Sequence, residues 1–233
     1  MNYEEYQIET WKKMKKDFVS FFQIYQSDIS KIYDQVCQLQ YIHLQPVIYT
    51  LAKIKKIIEL CNYLEDQKKS GEDTDKLKIF LLTSHSEIAA RLITNKNRSS
   101  KDLINSFFNL IKKESQLDSL IRGRVKEPFL ILSAADTLYA IRNEYAHQGN
   151  FTSNVFQHEN MAIHINIPSI CSSKIKETDD KTTIINVECK IAYRKFLELY
   201  CRALQKLLTK YYKQKTAPSS VATNPTIIKL STT

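Results

Sequence analysis

The chain has 233 residues, of which 43% are hydrophobic and 25% are charged, values typical of a globular protein with a substantial core. Its three glycines, Gly71, Gly123 and Gly149, are too far apart to form a dinucleotide-binding fingerprint, a P-loop or a nucleophile elbow. Its 34 Lys and Arg against 25 Asp and Glu give a net charge of +9, so the chain is basic.

The sequence also lacks the patterns of a membrane span, a secretory signal, a metal site and a disulfide framework. No apolar run reaches the ~18 residues of a membrane span, and the acidic start lacks the apolar core of a secretory signal, so we expect a cytoplasmic protein without a membrane partner. No metal-ligand motif is found, and we predict neither a metal nor a cofactor. Five cysteines without Cys-x-x-Cys spacing indicate reduced thiols rather than disulfides; they are Cys37, Cys61, Cys171, Cys189 and Cys201.

The N-terminal half has apolar residues at steps of three and four, which is the spacing of amphipathic helices. We expect Pro46 in the first turn of the second helix, where proline is tolerated. A polar connection over residues 68–75 precedes the third helix, and Ser99 or Ser100 is predicted to cap the fourth. The predicted helices span residues 5–36, 46–64, 76–94 and 100–112.

The next predicted helix spans residues 129–147 and is the most informative. Pro128 is expected to open it, and Gly149 to end it as the glycine that follows the last turn. The other two glycines are expected to lie in connections between elements.

The pattern then changes from helix to strand. Residues 161–167 alternate with period two, and residues 182–189 are rich in β-branched side chains, which together predict a two-stranded hairpin. A long helix is predicted over residues 190–213. The segment 216–233 is rich in Pro, Ser and Thr and is predicted to be a flexible tail.

Amphipathic helices of these lengths must bury their apolar faces against one another. The predicted fold class is therefore mainly α: an up-and-down helical bundle with a small β-hairpin inserted before the C-terminal helix. We expect a single domain over residues 1–215, with the insertion at about residues 158–189, followed by the tail 216–233.

The positive charge is concentrated near the C-terminus. Residues 190–215 contain eight Lys and Arg against Glu198 alone. Such a row of cations on a helix attracts a phosphate backbone without sequence preference, but it is equally compatible with an ordinary solvated helix face. We define the basic stripe as the candidate RNA-binding residues Lys190, Arg194, Lys195, Arg202, Lys206 and Lys210.

Arg142, Asn143 and His147 stand together at the C-terminal end of the predicted helix 129–147. A guanidinium group can bind phosphate oxygens bidentately and offset the charge that develops on phosphorus. An imidazole can take a proton from a 2′-hydroxyl or give one to a leaving oxygen, and neither step requires a metal.

A structural role for the same residues is the alternative. Asn143 and His147 would cap the helix end, while Arg142 would form a salt bridge with Glu144 or with a neighbouring helix. Residues five apart differ by ~140° around a helix, so Arg142 and His147 do not share one face. A catalytic pair therefore needs the reach of Arg142, a frayed helix end or a second subunit.

The segment 142–147, Arg-Asn-Glu-Tyr-Ala-His, resembles the Arg-x4–6-His signature of the HEPN superfamily (higher eukaryotes and prokaryotes nucleotide-binding domain), in which Asn often follows Arg. In the commonest form Gly follows His directly, whereas Gly149 comes one place later. The segment 84–87, Ser-His-Ser-Glu, is similar to a helix of some stand-alone HEPN families linked to defence and toxin–antitoxin systems. Independently of this, His85 is expected to be a packed or surface histidine.

The resemblance implies a metal-independent endoribonuclease with a composite site between the two subunits of a homodimer, leaving a 2′,3′-cyclic phosphate and a 5′-hydroxyl. Arg142 and His147 match the catalytic pair, Asn143 the polar second position, and Glu87 an auxiliary acid. It implies RNA as substrate and a cognate antitoxin or defence-system partner. HEPN-type toxins regulated by nucleotidylation carry Tyr two places after His, where this chain has Gly149, so that regulation is not predicted.

The resemblance also implies an alternative from another class. HEPN domains include non-catalytic members, and the chain would then be an RNA-binding or scaffold subunit of a defence complex.

Overall fold

The computed structural model describes residues 2–25, 28–67, 74–94, 97–125, 129–148, 155–157, 161–169 and 183–217. These residues form a mainly helical fold with one small antiparallel sheet, which confirms the predicted mainly-α class. The part of the chain so described contains nine helices: α1 Tyr3–Gln23, α2 Ile29–Val36, α3 Tyr41–Gln67, α4 Asp75–Ala90, α5 Ser100–Phe108, α6 Lys112–Ser115, α7 Leu117–Leu120, α8 Ala134–Gln148 and α9 Tyr193–Thr216.

The four helices predicted in the N-terminal half all differ from their predicted bounds: α4 ends at Ala90 and α5 at Phe108, four residues earlier than predicted in each case. The stretch predicted as one helix over residues 5–36 is α1 and α2, with a break that the continuing apolar spacing at Tyr25 and Ile29 conceals. Helix α3 begins at Tyr41, so Pro46 lies in its second turn. Proline costs a helix one backbone hydrogen bond there, and the apolar face of α3 compensates for that loss.

Capping side chains fix the starts of two helices. Asn2 and Glu5 form a reciprocal capping box at the start of α1. The Ser99 hydroxyl accepts a hydrogen bond from the Asp102 backbone N–H at 3.2 Å, which confirms the predicted cap of α5.

Helix α8 begins at Ala134 rather than after Pro128, because residues 130–132 form a strand. The Ser133 hydroxyl accepts a hydrogen bond from the Asp136 N–H at 3.1 Å and so marks the helix start. Pro128 and Gly149, predicted to open and end this helix, lie outside the described residues.

The sheet has four strands in the order β2-β1-β4-β3: β1 Ile121–Val125, β2 Leu130–Leu132, β3 Ile163–Ser169 and β4 Thr183–Cys189. Strands β3 and β4 pair antiparallel, with Ile165 opposite Val187, which confirms the predicted hairpin. The hairpin is nevertheless only half of a larger sheet, since β4 also pairs with β1. Most of the predicted tail, residues 218–233, lies outside the described residues.

Gly123 lies in the middle of β1 and not in a connection as predicted. A Cβ atom at this position would lie 2.8 Å from Oγ1 of Thr137 and 3.1 Å from Cδ1 of Leu132. Because Thr137 belongs to α8, the missing side chain lets α8 pack directly on the sheet.

Candidate functional site

The two segments that carry the resemblance lie on packed helices. Glu87 of α4 and Arg142 of α8 form an ion pair, with 3.5 Å between Oε2 and Nη2. Nη1 of Arg142 donates a hydrogen bond of 3.1 Å to Oδ1 of Asn143. Three of the four predicted site residues are therefore in direct contact.

His147 is separate from this cluster. It lies in the last turn of α8 and is exposed, whereas the Arg142 side chain is 23% exposed and turned towards α4. No hydrogen bond or ion pair joins Arg142 to His147 within the described residues. As expected for residues five apart on a helix, the side chains of Arg142 and His147 lie on different faces of α8.

Arg142 keeps an unused hydrogen-bond donor. Its Nε is buried and has no hydrogen-bond partner in the described part of the chain. A guanidinium offers five N–H donors in a planar fork. Because Nε has no accessible surface, an anion that binds in addition to Glu87 has to approach the part of the side chain that is exposed, which is 23%.

Glu87 is shared by two arginines. Its Oε1 accepts a hydrogen bond of 2.8 Å from Nη2 of Arg91, one turn further along α4, while Oε2 faces Arg142. One carboxylate between two guanidinium groups leaves this corner of the molecule with an excess of positive charge.

The remaining residues of the motif anchor α8. Glu144 forms an ion pair of 3.2 Å with Lys76 at the start of α4, and both side chains are at most 2% exposed. The ring of Tyr145 stacks on Phe80 with 4.9 Å between centroids. Glu144 and Tyr145 thus fasten the helix end from which His147 reaches solvent.

His85 is a packed core residue, one of the two possibilities expected from the sequence. Its Nδ1 lies 2.7 Å from the hydroxyl of Tyr200, and its Nε2 lies 3.0 Å from the carbonyl oxygen of Thr50. A carbonyl can only accept, so Nε2 carries the proton and Nδ1 accepts from Tyr200. Burial lowers the pKa of His85 to about 4, so the ring is neutral and plays no part in the exposed cluster.

A buried carboxylate organises the start of α4. Asp75 accepts hydrogen bonds of 2.9 Å from the backbone N–H groups of Val155 and Phe156 and pairs with Lys78 at 2.7 Å. Burial acts to raise the pKa of Asp75, but Lys78 and the two N–H groups outweigh it, so the pKa is lowered. This ties the segment that follows α8 back to α4.

The basic stripe divides into paired and unpaired cations. Lys190 pairs with Glu188 at 2.8 Å, Lys195 pairs with Glu198 at 2.9 Å, and Lys206 pairs with Glu114. The other three have no acidic ion-pair partner in the described residues, and all three are exposed: Arg194, Arg202 and Lys210.

The described cysteines carry no site. Cys37, Cys61, Cys189 and Cys201 are free thiols, and all but Cys37 are buried. Burial raises the pKa of Cys61 to about 12 and that of Cys189 to about 11, so these thiols stay protonated. No group of His, Cys, Asp and Glu that would hold a metal ion occurs among the residues described.

No helix in the described ranges is both long and apolar enough to cross a membrane. Comparison with known proteins found no matching family model, no matching curated protein and no matching solved structure.

The sequence predicted no role in this region for three residues that contribute to it: Lys76, Phe80 and Arg91. Only Arg91 had a local signal, because it lies four residues after Glu87 on the same helix. Lys76 and Phe80 meet the motif only through the packing of α4 on α8, which no local pattern encodes.

Proposed function

We propose that the chain is a metal-independent endoribonuclease of HEPN type, with Arg142 and His147 as its catalytic residues. The observation that carries the proposal is the arrangement at the end of α8. A partly exposed guanidinium is held there by Glu87 and Asn143, and an exposed imidazole follows in the last turn. Neither a metal nor a cofactor takes part.

In the proposed reaction His147 removes the proton from a ribose 2′-hydroxyl, and the 2′-oxygen forms a bond to the adjacent phosphorus. The bond from phosphorus to the 5′-oxygen breaks, and that oxygen takes a proton from an imidazolium. The products are a 2′,3′-cyclic phosphate and a 5′-hydroxyl. Arg142 offsets the charge on the phosphorane oxygens, Asn143 orients Arg142, and Glu87, the auxiliary acidic residue, holds the guanidinium in place as a carboxylate.

The proposed site is completed by a second copy of the chain. Arg142 is turned towards α4 while His147 is exposed to solvent, so one helix presents the two groups in different directions. Two copies that pair through the α8 ends bring the second acid–base group that the leaving oxygen requires. We therefore propose a homodimer with a composite site.

The basic stripe is the proposed path of the RNA. Three of its cations, Arg194, Arg202 and Lys210, are exposed and form no ion pair with a described carboxylate, and phosphate contacts of this kind bind RNA of any sequence.

The resemblance supports a place in toxin–antitoxin or antiviral defence in the cytoplasm, with an antitoxin or another defence-system protein as partner. Such a toxin is tolerated in an expression host only when it is inactivated. We expect variants at His147 to give more protein than the wild type when no partner is co-expressed.

One observation favours a second candidate, a non-catalytic HEPN-like RNA-binding or scaffold subunit of a defence complex. The Arg142 guanidinium already has an intramolecular carboxylate partner in Glu87, as a structural salt bridge would. In that case RNA binding is retained and cleavage is absent.

The two candidates separate in one experiment. Purified wild type, Arg142→Ala and His147→Ala are incubated with total RNA and EDTA, beside His164→Ala, which removes another exposed histidine. We expect cleavage by the wild type and by His164→Ala, and a loss of at least ~100-fold in the other two, since acid–base catalysis by His147 and charge stabilisation by Arg142 each contribute about that factor or more. The released ends should be 5′-hydroxyls that polynucleotide kinase labels without prior phosphatase treatment.

No cleavage by a dimeric wild type that still binds RNA contradicts the nuclease and favours the scaffold. Light scattering gives the oligomeric state. Specific activity that falls on dilution, as the dimer dissociates, supports the composite site; constant activity from a monomer contradicts it.

A further inference from the structure

A polar cleft is present whose lining includes no residue of α8. It has a volume of about 450 Å³ and is bounded by the turn after α4, by α5 and by α9. Arg98, just before α5, and Lys210 of α9 supply two cations. The remaining polar lining consists of Thr94, Ser106 and Asn109.

The cleft gathers positive charge without a compensating acid. No carboxylate lines it, and within the described residues neither Arg98 nor Lys210 has an ion-pair partner. Two like charges beside one concave surface repel each other unless an anion lies between them. Such a cleft is therefore more favourable when an anion occupies it.

Helix ends do not cancel this charge. Helices α4 and α5 both end at the cleft, and each helix C-terminus carries about half a negative charge. The two cations, Arg98 and Lys210, carry more charge than the two helix ends together. The terminal carbonyls are also hydrogen-bonded already, since the backbone N–H of Asn109 donates to Asn105 and the Thr94 hydroxyl donates to Ala90.

The lining fits a tetrahedral oxyanion. Ser106 and Asn109 add neutral donors to the two cations, and this combination satisfies the oxygens of a phosphate group better than those of a planar carboxylate. The volume lies in the range of small-ligand sites and exceeds what a single phosphate fills.

We propose that this cleft binds a phosphate group, carried either by a free nucleotide or by an RNA strand that continues from the basic stripe through Lys210. The site depends on Arg98 and Lys210, and it is independent of whether the chain cleaves RNA.

The test is a calorimetric titration of the full chain with inorganic pyrophosphate at low salt. The variants are Arg98→Gln and Lys210→Gln, and the matched control is Lys213→Gln, an exposed lysine on the same helix that does not line the cleft. We expect each cleft variant to weaken binding about 10-fold, as the loss of one charge-assisted hydrogen bond does. Lys213→Gln should bind like the wild type.

A second arm identifies the source of the phosphate. The titration is repeated with AMP and after saturation with a single-stranded RNA decamer. Loss of pyrophosphate binding in the RNA-saturated protein assigns the cleft to the RNA path, and unchanged pyrophosphate binding together with AMP binding assigns it to a free nucleotide.

Equal affinities in all variants, or an equal loss in Lys213→Gln, would show general attraction to a basic protein and overturn the proposal. Arg98 and Lys210 are exposed, so folding of the variants is not at risk; circular dichroism checks it. Failure of the nuclease test alone leaves the outcome of this titration unaffected.

Discussion

Single residues in the core couple the fold to pH, and His85 does so most directly. The neutral ring donates to Thr50 and accepts from Tyr200, and protonation would both bury a charge and remove the acceptor for the tyrosine. The exposed histidines of the chain, such as His147 and His164, lack such constraints.

We predict that His85 destabilises the fold at mildly acidic pH. Its pKa is about 4 in the folded chain and about 6.5 when unfolded, so the unfolded state binds more protons between these values. The free energy of unfolding should therefore decrease as the pH falls from about 6.5 to about 4. The full loss is about 3 kcal/mol, and none of it appears above neutral pH.

The measurement is urea unfolding at pH 7 and pH 4.5 for the wild type, His85→Gln and the control His164→Gln. Gln replaces both hydrogen bonds without titrating, so His85→Gln should lose less stability on acidification than the wild type. Carboxylates contribute equally to all three proteins and cancel in the comparison. An identical loss in wild type and His85→Gln would contradict the prediction.

At the scale of elements, the α4–α8 contact determines how the motif is presented. Buried Lys76 and Glu144 fix the axial position of one helix against the other, because an unpaired charge in this interior costs several kcal/mol. The same contact brings Glu87 to Arg142.

We predict a strong asymmetry between breaking and replacing this ion pair. Lys76→Met leaves the Glu144 carboxylate buried and uncompensated, and should lower the free energy of unfolding by about 3–5 kcal/mol. Lys76→Met/Glu144→Leu should recover at least half of that loss. The control Lys56→Met, on the exposed face of α3, should change stability by less than about 0.5 kcal/mol.

Urea unfolding measures these differences. A double variant as unstable as Lys76→Met would mean that the pair does more than neutralise charge, and that α8 requires the specific Lys–Glu geometry.

The sequence predicted those elements that are marked by residues close together in the chain. The alternation of Ile163, Ile165 and Ile167 identified β3, and Ser99 identified the start of α5. Strand β1 has buried residues in alternation, Ile121 and Val125 among them, but Gly123 and two arginines lie between these two, so the local pattern does not predict a strand. The apolar residues of β2 continue into α8 without a change of composition, which concealed the strand.

In the candidate site, too, the sequence predicted residues that are neighbours in the chain but not those brought together by packing. Arg142, Asn143 and His147 were identified because they are neighbours in the chain, and Glu87 was identified from a separate short segment. Lys76 is distant from Glu144 in sequence and resembles any surface lysine of an amphipathic helix. Its complete burial follows only from the packing of α4 on α8.

At the scale of the whole molecule, the cations behind the net charge of +9 are not equally available to bind RNA. Half of the basic stripe forms ion pairs with Glu188, Glu198 and Glu114, and the other half forms no ion pair with the carboxylates that the structure describes. Counterion release depends on the cations that contact phosphates and not on net charge. RNA affinity should therefore distinguish two sets of variants that change the net charge equally.

We predict that the triple variant Arg194→Gln/Arg202→Gln/Lys210→Gln loses most of the salt-dependent RNA affinity. With three phosphate contacts on a single strand, the slope of log K against log salt changes by about 2. The matched variant Lys190→Gln/Lys195→Gln/Lys206→Gln also removes three charges, but should change the slope by less than about 1, because those lysines already have carboxylate partners. Fluorescence anisotropy with a labelled decamer between 50 and 200 mM salt, roughly the range over which such contacts respond, gives both slopes. Equal slopes would mean that the unpaired cations are an ordinary solvated face and that only net charge attracts RNA.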